Sequence, residues 1–73
     1  MKNYTLETII NGKDIKFDRK FNSRNAAISF ALDYLNKHYI YNTEIEEEIL
    51  LNDNKHNVEY VCNDTIRIVV ARD

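Results

Sequence analysis

Hydrophobic and polar residues alternate on both sides of Asn11-Gly12, and this pattern predicts a β-hairpin in the first part of the chain. An Asn-Gly pair supplies the two positive-φ residues of a type I′ turn. The turn sets the register between residues 3–10 and residues 13–21. The predicted pairs are Leu6 with Phe17, Thr8 with Ile15, Tyr4 with Arg19, Glu7 with Lys16, and Thr5 with Asp18. A slip of one residue would move every side chain to the wrong face, so this register is well specified.

An amphipathic helix is predicted over residues 24–38. Asn22-Ser23 precedes it and offers a side-chain oxygen for the helix N-cap. The apolar positions at helical spacing are Ile28, Ala31, Leu32 and Leu35, and the polar positions opposite them are Asn25, Ser29, Asp33, Asn36 and Lys37. Phe30 and Tyr34 lie on the flank of the apolar stripe beside Ala27. We interpret this flank as the edge of the core, with a partner or dimer contact as the alternative.

Residues 43–51 allow two interpretations. As a helix, Thr43 and Glu46 would form a capping box at its N-terminus. As a strand, Ile45, Ile49 and Leu51 would share one face, although Glu47 would lie among them and glutamate is a poor strand former. We favour the strand, because the segment is short for a stable helix and the sheet needs a further strand.

A second hairpin is predicted from residues 58–62 and 65–71. A three-residue loop, Asn63-Asp64-Thr65 with one residue in the left-handed region, pairs apolar residues throughout: Cys62 with Ile66, Tyr60 with Ile68, and Val58 with Val70. A two-residue Asn63-Asp64 turn fits less well. The other face would hold Glu59, Val61, Arg67, Val69 and Ala71, with the two valines either covered or available for a contact. The expected fold is α+β: ββαβββ, a single antiparallel sheet with one helix packed on one face, as a single domain over residues 1–73.

Composition narrows the class of protein. The chain has 73 residues, of which 44% are hydrophobic and 30% charged, which is a globular composition. No apolar run approaches the roughly 20 residues of a membrane span. Cys62 is the only cysteine, so an internal disulfide is excluded, and we expect a buried thiol. With no hydrophobic signal region at Met1-Lys2-Asn3-Tyr4, we expect a cytoplasmic protein without membrane contact.

The motifs of enzymes and metal proteins are missing from the sequence. The only candidate metal ligands are His38, His56, Cys62 and Glu44–Glu48, and none has the spacing of a zinc site. Gly12 is the only glycine, whereas a phosphate-binding loop needs several. We therefore expect a non-enzyme with no catalytic residues, cofactor or metal.

Charge and aromatic residues suggest binding instead. The net charge is −2, with a balance of +3 over residues 1–37 and −5 over residues 38–73. This argues against nonspecific nucleic-acid binding, which depends on neutralising phosphates. The predicted partner-binding residues are Tyr39, Tyr41, Glu44, Glu46, Glu47 and Glu48. The carboxylates would imitate phosphates to a basic groove, and the tyrosines would act as rigid anchors.

A basic cluster supports a competing hypothesis. It comprises Lys13, Lys16, Arg19, Lys20 and Arg24. A small nucleic-acid-associated regulator, such as an antitoxin-like subunit, would use Lys16, Lys20 and Arg24. A homodimer, formed by sheet extension or through Phe30 and Tyr34, is compatible with either function.

The first half of the chain resembles a hairpin-then-helix pattern of small phage and mobile-element proteins. The residues that carry this resemblance are Asn11-Gly12-Lys13, Phe17, Phe21, Ser23, Ala26-Ala27 and Phe30-Ala31-Leu32. In kind, as a short, acidic, single-domain chain, it is similar to anti-CRISPR and other anti-defence proteins. That similarity implies a phage-type inhibitor that occupies a surface of a host protein or ribonucleoprotein complex. It carries no residue motif and assigns no site.

Overall fold

The computed structural model describes residues 3–38, 43–50 and 57–72 and confirms the ββαβββ arrangement. Its elements are β1 (Tyr4–Ile10), β2 (Lys13–Lys16), α1 (Arg24–His38), β3 (Glu47–Leu50), β4 (Asn57–Asn63) and β5 (Ile66–Arg72). The five strands form one antiparallel sheet in the order β2-β1-β5-β4-β3. The helix packs on one face of this sheet, over β1 and β5.

The first hairpin turns as predicted at Asn11-Gly12. Both residues have positive φ, 53° and 79°, as a type I′ turn requires. The predicted pairs Glu7 with Lys16 and Thr8 with Ile15 are present. The strand is therefore in the register that places alternate residues toward the helix.

The second strand is shorter than predicted, because the prediction extended it over residues 13–21. β2 ends at Lys16, and Tyr4 pairs with Phe21 instead of Arg19, so the chain gains two residues relative to a regular ladder. The Phe17 amide still donates to the carbonyl oxygen of its predicted partner Leu6 at 3.2 Å, but the predicted pair of Thr5 with Asp18 does not form, because residues 18–20 leave the sheet. The reason is aromatic packing against α1. Ring centroids of Phe17 and Phe30 lie 5.3 Å apart, and those of Phe21 and Phe30 lie 5.4 Å apart.

The helix spans the predicted residues and has the predicted cap. The Ser23 hydroxyl oxygen accepts a hydrogen bond from the Ala26 amide at 3.1 Å. The centre of the buried stripe is Ala27, Ala31 and Leu35, while the predicted Ile28 and Leu32 are half-buried beside it. The small alanines bring the helix axis close to the sheet, and Phe30 and Tyr34 pack at the core edge, as we interpreted them.

The ambiguous segment is a strand from Glu47 to Leu50, which confirms the favoured interpretation over those residues. Thr43 does not cap a helix. Its amide donates a hydrogen bond to the Asn36 side chain of α1, so the chain is tied to the helix before it enters the sheet.

The second hairpin keeps the predicted register over most of its length and differs at the turn. Tyr60 pairs with Ile68 as predicted, but Asn63 pairs with Ile66 in place of Cys62. Cys62 lies at a β-bulge, and the connection is the two-residue turn 64–65. No described residue of this turn has a positive φ. The bulge lets the Cys62 side chain remain buried, at 5% exposure, without a partner opposite it.

Candidate functional site

Four glutamates form an exposed acidic border at one edge of the sheet. We call Glu44, Glu46, Glu47 and Glu48 the acidic edge. All four are exposed, as the partner-binding hypothesis requires, and β3 is the outermost strand on this side. The Glu46 amide donates to the Val61 carbonyl oxygen at 2.7 Å, which extends the line of β3 by one residue. Glu46, Glu47 and Glu48 therefore follow one another along nearly extended backbone.

Consecutive residues of a strand point to opposite faces, and this divides the acidic edge. Glu48 pairs with Tyr60, which is buried in the core beneath the helix, so it lies on the helix side. Glu47 pairs with Val61 and lies on the other side, which we call the helix-free face. A partner that binds all four carboxylates must therefore contact the edge of the sheet and not one face alone.

The helix-side carboxylate belongs to a small polar network. Arg24 Nη1 lies 3.6 Å from Glu48 Oε1, with both side chains about half exposed. The same guanidinium donates a hydrogen bond to the Tyr60 hydroxyl. Burial raises the pKa of Tyr60, and the positive charge of Arg24 acts in the opposite direction. The exposed pair with Glu48 contributes little to stability by itself, so its main effect is to orient the two side chains.

Cys62 lies beneath this edge as a buried thiol. Burial, with a smaller contribution from the negative charge of Glu46, raises the pKa of Cys62 from its ordinary 9.0 to about 11. The thiol is almost entirely protonated at neutral pH, and thiolate is the nucleophilic form. The prediction of a buried thiol is confirmed.

The residues of the predicted basic cluster do not form one surface. Lys16 pairs with Glu7 on the helix-free face, and Arg24 is engaged with Glu48. Arg19 is exposed, with its guanidinium carbon 4.7 Å from the Phe30 ring centroid, where it covers the aromatic cluster. Lys16 and Arg24, both required by the nucleic-acid hypothesis, therefore point to different faces and each already faces a carboxylate.

The helix-free face carries a second charge pair that the sequence interpretation missed. Arg67 Nη1 lies 3.0 Å from Glu59 Oε2, and the Glu59 side chain is only 10% exposed. The signal was available, because the register places the two residues diagonally across one face of the hairpin. Val61 and Val69 flank the pair and are half-buried. Within the described part of the chain, no helix or strand covers this face.

The two predicted aromatic anchors and one candidate metal ligand lie outside the described residues. Tyr39 and Tyr41, the predicted aromatic anchors, and His56 are not among the described residues. In the ranges 3–38, 43–50 and 57–72, no three histidine, cysteine, aspartate or glutamate side chains are arranged to hold a metal ion. Nor does any helix in those ranges have the length and apolar character needed to cross a membrane.

Comparison of the chain with known protein families, with curated proteins and with solved structures gives no match.

Proposed function

We propose that this protein is a non-enzymatic protein-binding module of the cytoplasm. In this proposal its acidic edge occupies a basic surface of a host protein or ribonucleoprotein complex that handles nucleic acid, in the manner of a phage-type inhibitor. The observation that supports the proposal is the exposure of all four carboxylates along one sheet edge. Within the described part of the chain, Glu48 is the one member of the acidic edge in an ion pair.

The spacing of the acidic edge suits imitation of a nucleic-acid strand. A β-strand advances about 3.3 Å per residue. Glu46, Glu47 and Glu48 thus follow one another about every 3.3 Å along the strand, but they alternate between its two faces, so carboxylates on one face lie about 6.6 Å apart. One strand of DNA carries a charge about every 3.4 Å along its axis. A basic channel that neutralises phosphates would meet these carboxylates at a comparable spacing along one direction, over three residues and with Glu48 partly neutralised by Arg24. We therefore expect the protein to compete with nucleic acid for the basic surface. Neighbouring contacts, such as those of the predicted anchors Tyr39 and Tyr41, would supply the affinity.

The nucleic-acid regulator is the weaker candidate on this geometry. Phosphate binding needs basic side chains that face one backbone together. Lys16 and Arg24 lie on different faces of the sheet, opposite Glu7 and Glu48 respectively.

The test compares two variants with the same change in net charge. In one, Glu46→Lys, Glu47→Lys and Glu48→Lys reverse the acidic edge. In the control, the exposed Asp14, Asp18 and Asp33, which lie in β2, in the segment after it and in α1, are each changed to lysine. Tagged wild type, variant and control are each incubated with a bacterial lysate, with and without nuclease. Captured proteins are identified by mass spectrometry.

We expect one protein or complex to be captured near stoichiometrically by wild type and control, lost with the acidic-edge variant, and unaffected by nuclease. Added DNA oligonucleotide should compete with the capture. Equal capture by the acidic-edge variant contradicts the proposal. Capture that disappears with nuclease and weakens steeply with salt supports the nucleic-acid regulator instead.

A further inference from the structure

The two edges of the sheet carry opposite charge. Residues 13–20, which form β2 and the segment after it, contain four basic and two acidic residues, and we call this the basic edge. Residues 43–50, which contain the acidic edge, hold four glutamates and no basic residue. β2 and β3 are the outermost strands on opposite sides. Four strand spacings, about 19 Å, separate them. That exceeds the Debye length of about 8 Å at physiological ionic strength, so the two edges act as separate patches.

We propose that the acidic edge of one copy of this chain docks against the basic edge of a second copy. Two acidic edges, or two basic edges, repel each other, so a symmetric edge-to-edge dimer is disfavoured. The unlike edges attract. Such a contact is heterologous, and it can be repeated from copy to copy without closing on itself. The inference does not rest on the proposed function, because it involves only the chain itself.

The backbone of both edges suits this contact. β2 and β3 each have four residues, and each has a strand neighbour on one side only among the described residues. An edge strand offers unpaired amide and carbonyl groups to an incoming strand, and charged side chains of one sign normally discourage this. Here the signs differ between the edges, so the same charges discourage like pairing and favour unlike pairing.

The charges of each edge are divided between the two faces of the sheet, and on β2 Asp14, opposite Ile9, shares the helix-free face with a lysine. Lys13 pairs with Ile10 and lies on the helix side, while Lys16 pairs with Glu7 and lies on the helix-free face. On β3, Glu48 lies on the helix side and Glu47 on the helix-free face. Copies that dock with their helices on the same side bring β3 of one copy beside β2 of the other in parallel orientation, with Glu48 and Lys13 both on the helix side.

The test exchanges charge between the edges. Glu46→Lys, Glu47→Lys and Glu48→Lys turn the acidic edge from four net negative charges to two net positive charges. Lys13→Glu and Lys16→Glu turn the basic edge from two net positive to two net negative. Molar mass of the purified proteins is measured by sedimentation velocity over a range of concentrations, at low ionic strength and in about 0.5 M salt, where screening is strong.

We expect the wild type to exceed 8.7 kDa as its concentration rises at low ionic strength, and to return to that mass in high salt. Each variant alone has two edges of one sign and should remain at monomer mass. An equimolar mixture of the two variants should recover the larger species, because each then offers the edge that the other needs. A control with Ser29→Lys and Asp33→Lys on the exposed side of α1 should associate like the wild type.

Three results would overturn the proposal: a wild type that stays monomeric at every concentration and low salt, variants that associate alone as the wild type does, or a folded mixture that stays monomeric. Circular dichroism establishes folding for each variant. If Lys16→Glu disturbs the fold beside Glu7 and Asp14, Lys13→Glu with Lys16→Gln replaces it and adds one carboxylate fewer. None of these results depends on a host target, so the self-association can fail while the proposed function stands.

Discussion

Replacing Thr8 with valine should stabilise the protein, because Thr8 buries a hydroxyl group in the core. The residue has no measurable exposure and lies between Ile15 and Ile68 in the neighbouring strands. Its Oγ1 has no hydrogen-bond partner among the described residues. Burial of an unsatisfied hydroxyl costs about 1–3 kcal/mol in protein mutational data.

Valine removes this cost with almost no change of shape, and it is as good a strand former as threonine. Thr8→Val should therefore raise the free energy of unfolding by about 1 kcal/mol, at the lower end of that range, because threonine can relax locally. For a domain of this size, such a gain raises the melting temperature by about 4–8 °C. Urea denaturation at neutral pH, followed by far-ultraviolet circular dichroism, measures the change directly.

The same substitution at Thr5 is the matched control. Thr5 lies on the same strand but on the helix-free face, it is half-buried, and its Oγ1 donates to the Ala71 carbonyl oxygen at 3.3 Å. Thr5→Val exchanges a weak hydrogen bond for a methyl group and should change stability by no more than about 0.5 kcal/mol. If Thr8→Val is neutral or destabilising, or only equals Thr5→Val, the hydroxyl of Thr8 is not an unsatisfied group and the reasoning is wrong.

Three further predictions concern the charged and titratable groups. Because its pKa is about 11, Cys62 should react with a disulfide reagent at pH 8 at least about 100-fold more slowly in the folded protein than in urea. Equal rates would show an accessible thiolate. Burial first, and then Asp14, raise the pKa of Glu7, so this group lowers stability as pH rises through its unfolded value of 4.5. Asp14→Asn should lower the Glu7 pKa in an NMR titration and stabilise by up to about 0.5 kcal/mol near pH 7, and an unchanged pKa would contradict the coupling. Arg67→Ala leaves the Glu59 carboxylate without its partner and should lower the free energy of unfolding by about 2 kcal/mol in urea denaturation. Adding Glu59→Gln to the same chain should recover a part of this loss. If it recovers nothing, the loss comes from packing alone.

Local chemistry explains why much of the fold could be predicted from the sequence. Asn11-Gly12 determines the turn and register through the positive φ of both residues. Ser23 determines the start of the helix through its hydrogen bond to the Ala26 amide. Both signals act within four residues of the chain. They need no knowledge of the tertiary structure.

The errors arose where packing between distant residues decides the backbone. Regular alternation predicted that Tyr4 faces Arg19, whereas Phe21 occupies that place because its ring packs on Phe30 of the helix. Likewise, regular alternation predicted that Cys62 pairs with Ile66, whereas a β-bulge places Cys62 in the core next to the turn. No local sequence pattern marks the two additional residues between Lys16 and Phe21 or the bulge at Cys62.

The candidate site depends on topology in the same way. The sequence shows a basic first half and an acidic second half, but not that these charges reach opposite edges of one sheet. That follows from β5, the last strand, which pairs with both β1 and β4 and so separates β2 from β3. The sequence interpretation had treated Arg24 and Glu48 as members of competing surfaces, whereas the fold joins them in one ion pair. Because the helix N-terminus thus neutralises one carboxylate, the charge available to a partner is concentrated on Glu44, Glu46 and Glu47. Neutralising Arg24 should accordingly strengthen binding by the acidic edge, an outcome that a nucleic-acid site built on Arg24 cannot produce.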